Sequence, residues 1–179
     1  MVDDYVFAIE QERKEKDHWF RESHESPIPH ELRHGSQGLA YYPVDPDLRF
    51  RVKLSLYPTQ EVLRFPTSKG TGQDYFRHGY FEFPVEGRTV QLNVYKPVHS
   101  HSGREFLFLP FRDATSNKET YGAGRYIDLE PEASGMYDLD FNRAYNPYCA
   151  YSDDYVCPLP PPENWLPVAI RAGEKAWAH

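Results

Sequence analysis

Apolar positions recur at helical spacing in the first twenty-odd residues, and from Leu39 onward the spacing becomes that of strands. The first stretch predicts a helix over 3–23, with Asp3 or Asp4 capping its start, where a carboxylate meets the free backbone N–H groups and the positive end of the helix dipole. Tyr5, Ile9, Lys16, Trp19 and Phe20 gather near one face, and Glu10, Arg13, Lys14 and Asp17 are expected to face solvent. A helix this polar is expected to lie across the surface of the fold. Ser26-Pro27 and Pro29 end it, because a residue before proline avoids the α region.

Residues 49–56 alternate polar and apolar, so Phe50, Val52, Leu54 and Leu56 are expected on one buried face of a strand. Residues 61–65 and 74–84 read as two further strands. The turn Val85-Glu86-Gly87-Arg88 then leads into 89–95, where Val90, Leu92 and Val94 point one way and Thr89, Gln91 and Asn93 the other. A strongly apolar strand, 105–111, follows the polar tip 99–103. Strands in succession, with short turns and no helices between them, predict an antiparallel meander that closes as a β-barrel or folds over as a β-sandwich. The expected organisation is a single mainly-β domain over 1–179. Its parts are an N-terminal helix (1–25), a β-meander (38–112) and an irregular segment rich in Pro and Tyr (113–179) that completes the fold.

Composition supports this picture. Fourteen tyrosines and eleven phenylalanines suit half-buried pleated surfaces, and sixteen prolines belong in turns and edges. The net charge of -7, with no basic block, argues against a nucleic-acid partner. No apolar run approaches the ~20 residues that a membrane span needs, and the N-terminus lacks the pattern of a signal peptide, so a cytoplasmic location is expected. Gly70-Thr71-Gly72 lacks the Gly-Lys-Ser/Thr ending of a phosphate loop and reads as a turn, and no other motif requires a cofactor or a metal. His99 and His101 occupy alternate positions that could face one ion, but a pair in a loop tip is more often solvated.

The chemistry concentrates after Phe111, in the blocks TYGAGRYIDL, DFNRAYNPYCAYS, CPLPPPENWLPVAI and AGEK. In this order, and with Ser26-Pro27, Gly38 to Pro43 and Phe108 to Asp113 upstream, they resemble the family catalogued as domain of unknown function 1684. That resemblance spans nearly the whole chain and implies no activity. Read physically, the segment sets Arg125, Asn142, Asn146 and Lys175 among Tyr126 and Tyr145, and these six are the candidate ligand-binding residues. Convergent polar groups among aromatics are what small-ligand sites are made of. Arg125 is the expected anchor, its planar fork holding Asp140, Glu163 or the carboxylate of a ligand. The reading is therefore a small-molecule-binding β-domain. One alternative is a hydrolase or lyase drawing on Asp113, Asp140, Glu163 and Glu174. Another is a structural or protein-interaction domain. Cys149 and Cys157, with seven residues between them, fit buried apolar thiols, a metal site shared with a histidine, or a redox pair. Neither has an adjacent cation to mark it as a nucleophile.

Overall fold

The computed structural model describes residues 2–34, 38–99 and 105–177. Its helix, α1 (Val2–Glu22), buries Ile9 and Phe20 and carries Asp3 and Asp4 in its first turn. Tyr5, Ile9, Arg13, Lys16 and Phe20 succeed one another at steps of three or four residues, so they form one stripe. The polar members of that stripe make the dock. Tyr5 donates to Asp140 at 2.6 Å, Arg13 Nη1 to the Tyr42 carbonyl at 2.8 Å, and Lys16 to Glu174. Arg13 and Asp17, expected in solvent, both turn inward: the Arg13 guanidinium also lies over the Tyr41 ring, and Asp17 accepts from Leu39 N at 2.8 Å. Polar residues bind the helix because its partner surface is itself rich in carbonyls and carboxylates. No described helix is long and apolar enough to cross a membrane.

Eight strands follow: β1 (Arg49–Lys53), β2 (Ser55–Leu56), β3 (Val62–Pro66), β4 (Gly72–Val85), β5 (Arg88–Pro97), β6 (Leu107–Phe111), β7 (Arg125–Leu129) and β8 (Met136–Asp140). The larger sheet runs β2-β4-β5-β6-β7, with β3 also along β4, and β1 pairs with β8 in a second sheet. Every named pairing is antiparallel. The sheets do not close into a barrel; the arrangement is sandwich-like. Glu86 and Gly87, with φ of 51° and 77°, make the two-residue turn between β4 and β5, the type I′ geometry whose twist matches a hairpin.

The strand expected over 49–56 breaks at Leu54, where the chain leaves β8 and joins β4. A change of sheet reverses the faces, so Leu54 is buried while Leu56 is exposed. The main core lies between the sheets. Phe81, Phe83, Leu92, Val94, Leu109 and Phe111 of the large sheet meet Leu139, Phe141 and the run Leu166 to Ala172. The opposite face of the large sheet carries a second, aromatic cluster of Phe65, Tyr75, Tyr95, Phe108 and Tyr126. Residues 145–165 cover part of this face, which is why Asn93 is buried on the side expected to face water. Asn164 accepts from Asn93 N at 2.9 Å and donates to the carbonyls of Asn93 and Pro110 at 2.9 and 2.8 Å.

The irregular C-terminal run is held by Arg125, which is 1% exposed. Its Nη1 donates to the carbonyls of Ala172 and Glu174 at 2.5 and 3.2 Å, and its Nη2 to that of Ile170 at 2.9 Å. The countercharge is Asp113 at 3.5 Å, which also accepts from Ile170 N at 2.6 Å. Gly124, at φ 106°, admits this approach, since a Cβ there would stand 2.5 Å from the Phe111 carbonyl. Arg125→Met would strand a buried carboxylate and three carbonyls, and is expected to cost about 3–5 kcal/mol in denaturant unfolding. Arg125→Lys, lacking the planar fork, should recover only part of that loss.

Candidate functional site

β7 alternates its side chains, so Tyr126 and Asp128 stand on the same face of the strand. Tyr145 pairs with Tyr126 through both backbone hydrogen bonds, at 2.9 and 3.0 Å, and their rings meet edge to face at 5.8 Å. From there the Tyr145 hydroxyl reaches Asp128 Oδ2 at 2.6 Å. α1 lays Lys16 and Phe20 over this pair, and the chain beyond brings Pro147, Tyr148, Tyr155 and Cys157 round the other side. These walls line an open cleft of about 500 Å³. Lys16 and Tyr145 also line an adjoining hollow of about 210 Å³, with Arg13, Tyr41, Asn142 and Glu174.

Two opposite charges face this cavity. Asp128 is exposed, while the rings beside its carboxyl remove part of its water and raise its pKa, against the pull of the Tyr145 hydroxyl and of Lys16. Its Oδ1 has no hydrogen-bond partner among the described residues. The Lys16 ammonium sits 5.2 Å from the Phe20 ring centre and 5.1 Å from that of Tyr145, with Glu174 as its ion pair. Burial pushes the Tyr126 and Tyr145 hydroxyls up, so both remain protonated donors at neutral pH.

Cys157 lines the cleft, and Cys149 lies beside it. Cys149 N donates to Cys157 Sγ at 3.4 Å, and the Tyr121 hydroxyl lies 3.5 Å from Cys149 Sγ. A hydrogen bond from the Cys157 thiol, helped by those of Tyr121 and Ser68 and opposed by desolvation, brings the Cys149 pKa down to about 6. Cys157 is pushed up by the same contact and by burial. The absence of a neighbouring cation in the sequence therefore misleads, because hydrogen bonds replace it.

The six candidate binding residues separate. Tyr126 and Tyr145 form the cavity wall, and Asn142 lines the adjoining hollow. Arg125 does not reach open space, since its donors meet protein carbonyls. Asn146 is buried, donating its backbone N–H to Glu174 and its side chain to the Lys175 carbonyl. The Lys175 ammonium lies over the Tyr42 ring, away from the cavity. The four candidate catalytic carboxylates are each engaged internally. Asp113 binds Ile170 N and Arg125; Asp140 binds Asn142 N and Tyr5; Glu163 binds Arg77 and Tyr95; Glu174 binds Lys16, Asn146 N and Tyr151. His101 lies outside the described residues, and no group of three or more His, Cys, Asp and Glu among the described residues could hold a metal ion. Sequence reasoning missed Lys16 and Asp128 as site residues. The signal for Asp128 was its place two residues from Tyr126 on one strand, and for Lys16 its place four residues before Phe20.

A second, larger groove of about 660 Å³ runs between β3 and Pro160 to Pro162. Its Arg112 guanidinium stacks on the half-exposed Trp165 ring at 4.7 Å and has no carboxylate partner among the described residues.

The family model for the protein of unknown function DUF1684 matches residues 35–175. The solution NMR structure of an uncharacterised protein of Haloarcula marismortui is similar at 38% identity and a TM-score of 0.72, covering 97% of this chain and 95% of that one. No curated protein matches the chain.

The lowered Cys149 pKa has a direct readout. Alkylation by iodoacetamide should rise with pH through a midpoint near 6 at Cys149, against about 8.5 for an ordinary thiol, because only the thiolate reacts. Cys157 should stay unmodified while the protein is folded. Tyr121→Phe should move the midpoint upward, as peptide mass spectrometry across a pH series would record.

Proposed function

Since the chain belongs to the DUF1684 family of proteins of unknown function, we propose, from the chain's own cavity, that it binds a small molecule between α1 and the aromatic face of the large sheet. The observation that carries this reading is Asp128: an exposed carboxylate between ring walls, with one oxygen on the Tyr145 hydroxyl and the other unpartnered among the described residues. An acceptor held in place by Tyr145 and open on one side is available to a ligand among the rings. The ligand class follows from the walls. Tyr126, Tyr145, Tyr148 and Phe20 offer ring faces and edges to a flat or apolar body, and Asp128 accepts from a hydroxyl or amine on it. Lys16 stands opposite as a donor to any oxygen at the other end. In this reading Cys149 and Cys157 are thiols in the resting protein.

Catalysis by the four other carboxylates gains little from their positions: Asp113, Asp140 and Glu174 are buried among protein donors, and Glu163, which lines the larger groove, is held by Arg77 and Tyr95. A second reading, recognition of a partner protein, draws on one observation: the unpaired Arg112 stacked on Trp165 beside a wall of prolines suits an acidic, apolar segment.

A thermal-shift screen of hydroxyl- and amine-bearing metabolites tests the first reading. A true ligand at a hundred times its Kd should raise Tm by several degrees, from about 2.7 kcal/mol of linkage. Asp128→Asn should weaken that ligand about tenfold or more, as expected for a hydrogen bond to a charged group. Tyr148→Ala should weaken it as well, while Trp165→Ala leaves it unchanged. If no compound in the screen shifts the wild type, or if every shift survives both cavity substitutions, the reading falls.

A further inference from the structure

The two thiols do more than fill space. A purely structural pair would be buried together, but here Cys157 is 7% exposed whereas Cys149 is half-buried and open to solvent. Cys157 is also the fixed member. Its N–H donates to Ser68 Oγ at 3.1 Å, and its carbonyl accepts from Ser68 N at 3.0 Å. Cys149 sits in the single turn Tyr148–Ala150, and its own N–H points at Cys157 Sγ at 3.4 Å. An accessible sulfur faces a sheltered one, within reach and without other elements between them. We propose that Cys149 and Cys157 form a peroxide-oxidisable pair, with Cys149 as the attacking sulfur and Cys157 as the resolving one.

The chemistry balances without a cofactor. The Cys149 thiolate attacks the terminal oxygen of a hydroperoxide; the S–O bond forms as the O–O bond breaks, giving a sulfenic acid and an alkoxide or hydroxide that takes a proton from water. The Cys157 sulfur then attacks the sulfenic sulfur. The S–S bond forms, and the departing hydroxide leaves as water with the Cys157 proton. Two thiols have then lost two electrons and the peroxide has gained them. The lowered pKa of Cys149 supplies thiolate at neutral pH, and the Tyr121 hydroxyl beside that sulfur is placed to steady the negative charge. This inference does not depend on the small-molecule reading, since the sulfurs and an oxidant suffice.

Both cysteines fall in one tryptic peptide, 144–171, so the test is direct. The full chain is treated with a small excess of hydrogen peroxide at pH 7 in the presence of dimedone, then digested without reduction. Wild type should show that peptide lighter by two hydrogens with no dimedone adduct. Cys157→Ser should show the adduct at Cys149, and Cys149→Ser should show no oxidation at Cys157. The proposal is overturned if the wild-type peptide keeps both thiols, if the bridge joins two chains, or if dimedone marks Cys157 in Cys149→Ser. Should Cys157→Ser not fold, the two-hydrogen loss in wild type decides alone, with urea-unfolded protein as the rate reference. Oxidation no faster in the folded protein than in the unfolded one also overturns it.

Discussion

A guanidinium buried as deeply as that of Arg125 is expensive to desolvate, and burial indeed pulls its pKa down. Nothing but a full set of acceptors makes its position tenable. Asp113 supplies the opposite charge and the carbonyls of Ile170, Ala172 and Glu174 supply the rest. The consequence reaches far along the chain. Fixing residues 170–174 fixes Glu174, whose carboxylate accepts from Asn146 N at 3.1 Å, from the Tyr151 hydroxyl at 2.8 Å and from Lys16. Those contacts seat the turn after Tyr145 and the middle of α1, and so build two walls of the cavity. One buried cation thus connects a sheet edge to a cleft it never touches.

The remaining irregular backbone is satisfied in the same way, by short amide and carboxylate side chains in place of ladder hydrogen bonds. Asn164 joins β5 and β6 to the run beyond Pro162. Asn142 bonds both the N–H and the carbonyl of Asp45, each at 2.8 Å, and Asp140 accepts from Asn142 N at 3.0 Å. These side chains have little freedom to serve a ligand, because each replaces a backbone partner that would otherwise be missing. A segment dense in Asn, Asp, Arg and Tyr can therefore look like a binding site in one dimension and be mostly mortar in three.

That distinction marks where sequence reasoning stops. The helix, the strands up to Phe111 and the Glu86-Gly87 turn were legible because local periodicity and turn chemistry decide them. β7 and β8 fall within 113–179, which looks irregular in sequence because its prolines and polar residues mask their alternation. Leu56, Asn93 and Arg13 were misplaced because a change of sheet, a covering tail and a polar partner surface decide them, and none of these is local. Arg125 was recognisable as an anchor. Its countercharge was expected to be Asp140, Glu163 or a ligand and is Asp113, since pairing across the sheet depends on register that periodicity does not encode. The fold thus follows from pattern, while the site depends on which polar groups remain after the fold has used the others.

By that criterion the cavity is set apart. Asp113, Asp140, Glu163 and Glu174 have their lone pairs taken up by protein donors, whereas Asp128 spends one oxygen on Tyr145 and offers the other to the cavity. That oxygen faces solvent, so it does no work for the fold and stays available to a partner. Cys149 makes a parallel case. Its thiolate is favoured by hydrogen bonds at a surface-reachable position, while a thiol serving packing alone would be buried and inert. Asp128 lines the cleft formed where α1, β7 and the segments around Tyr145 and Cys157 converge, and Cys149 lies beside it, its N–H on the Cys157 sulfur that forms part of the wall. An open carboxylate oxygen in the cleft and an accessible thiol beside it set this region apart from the segments whose side chains are taken up by irregular backbone.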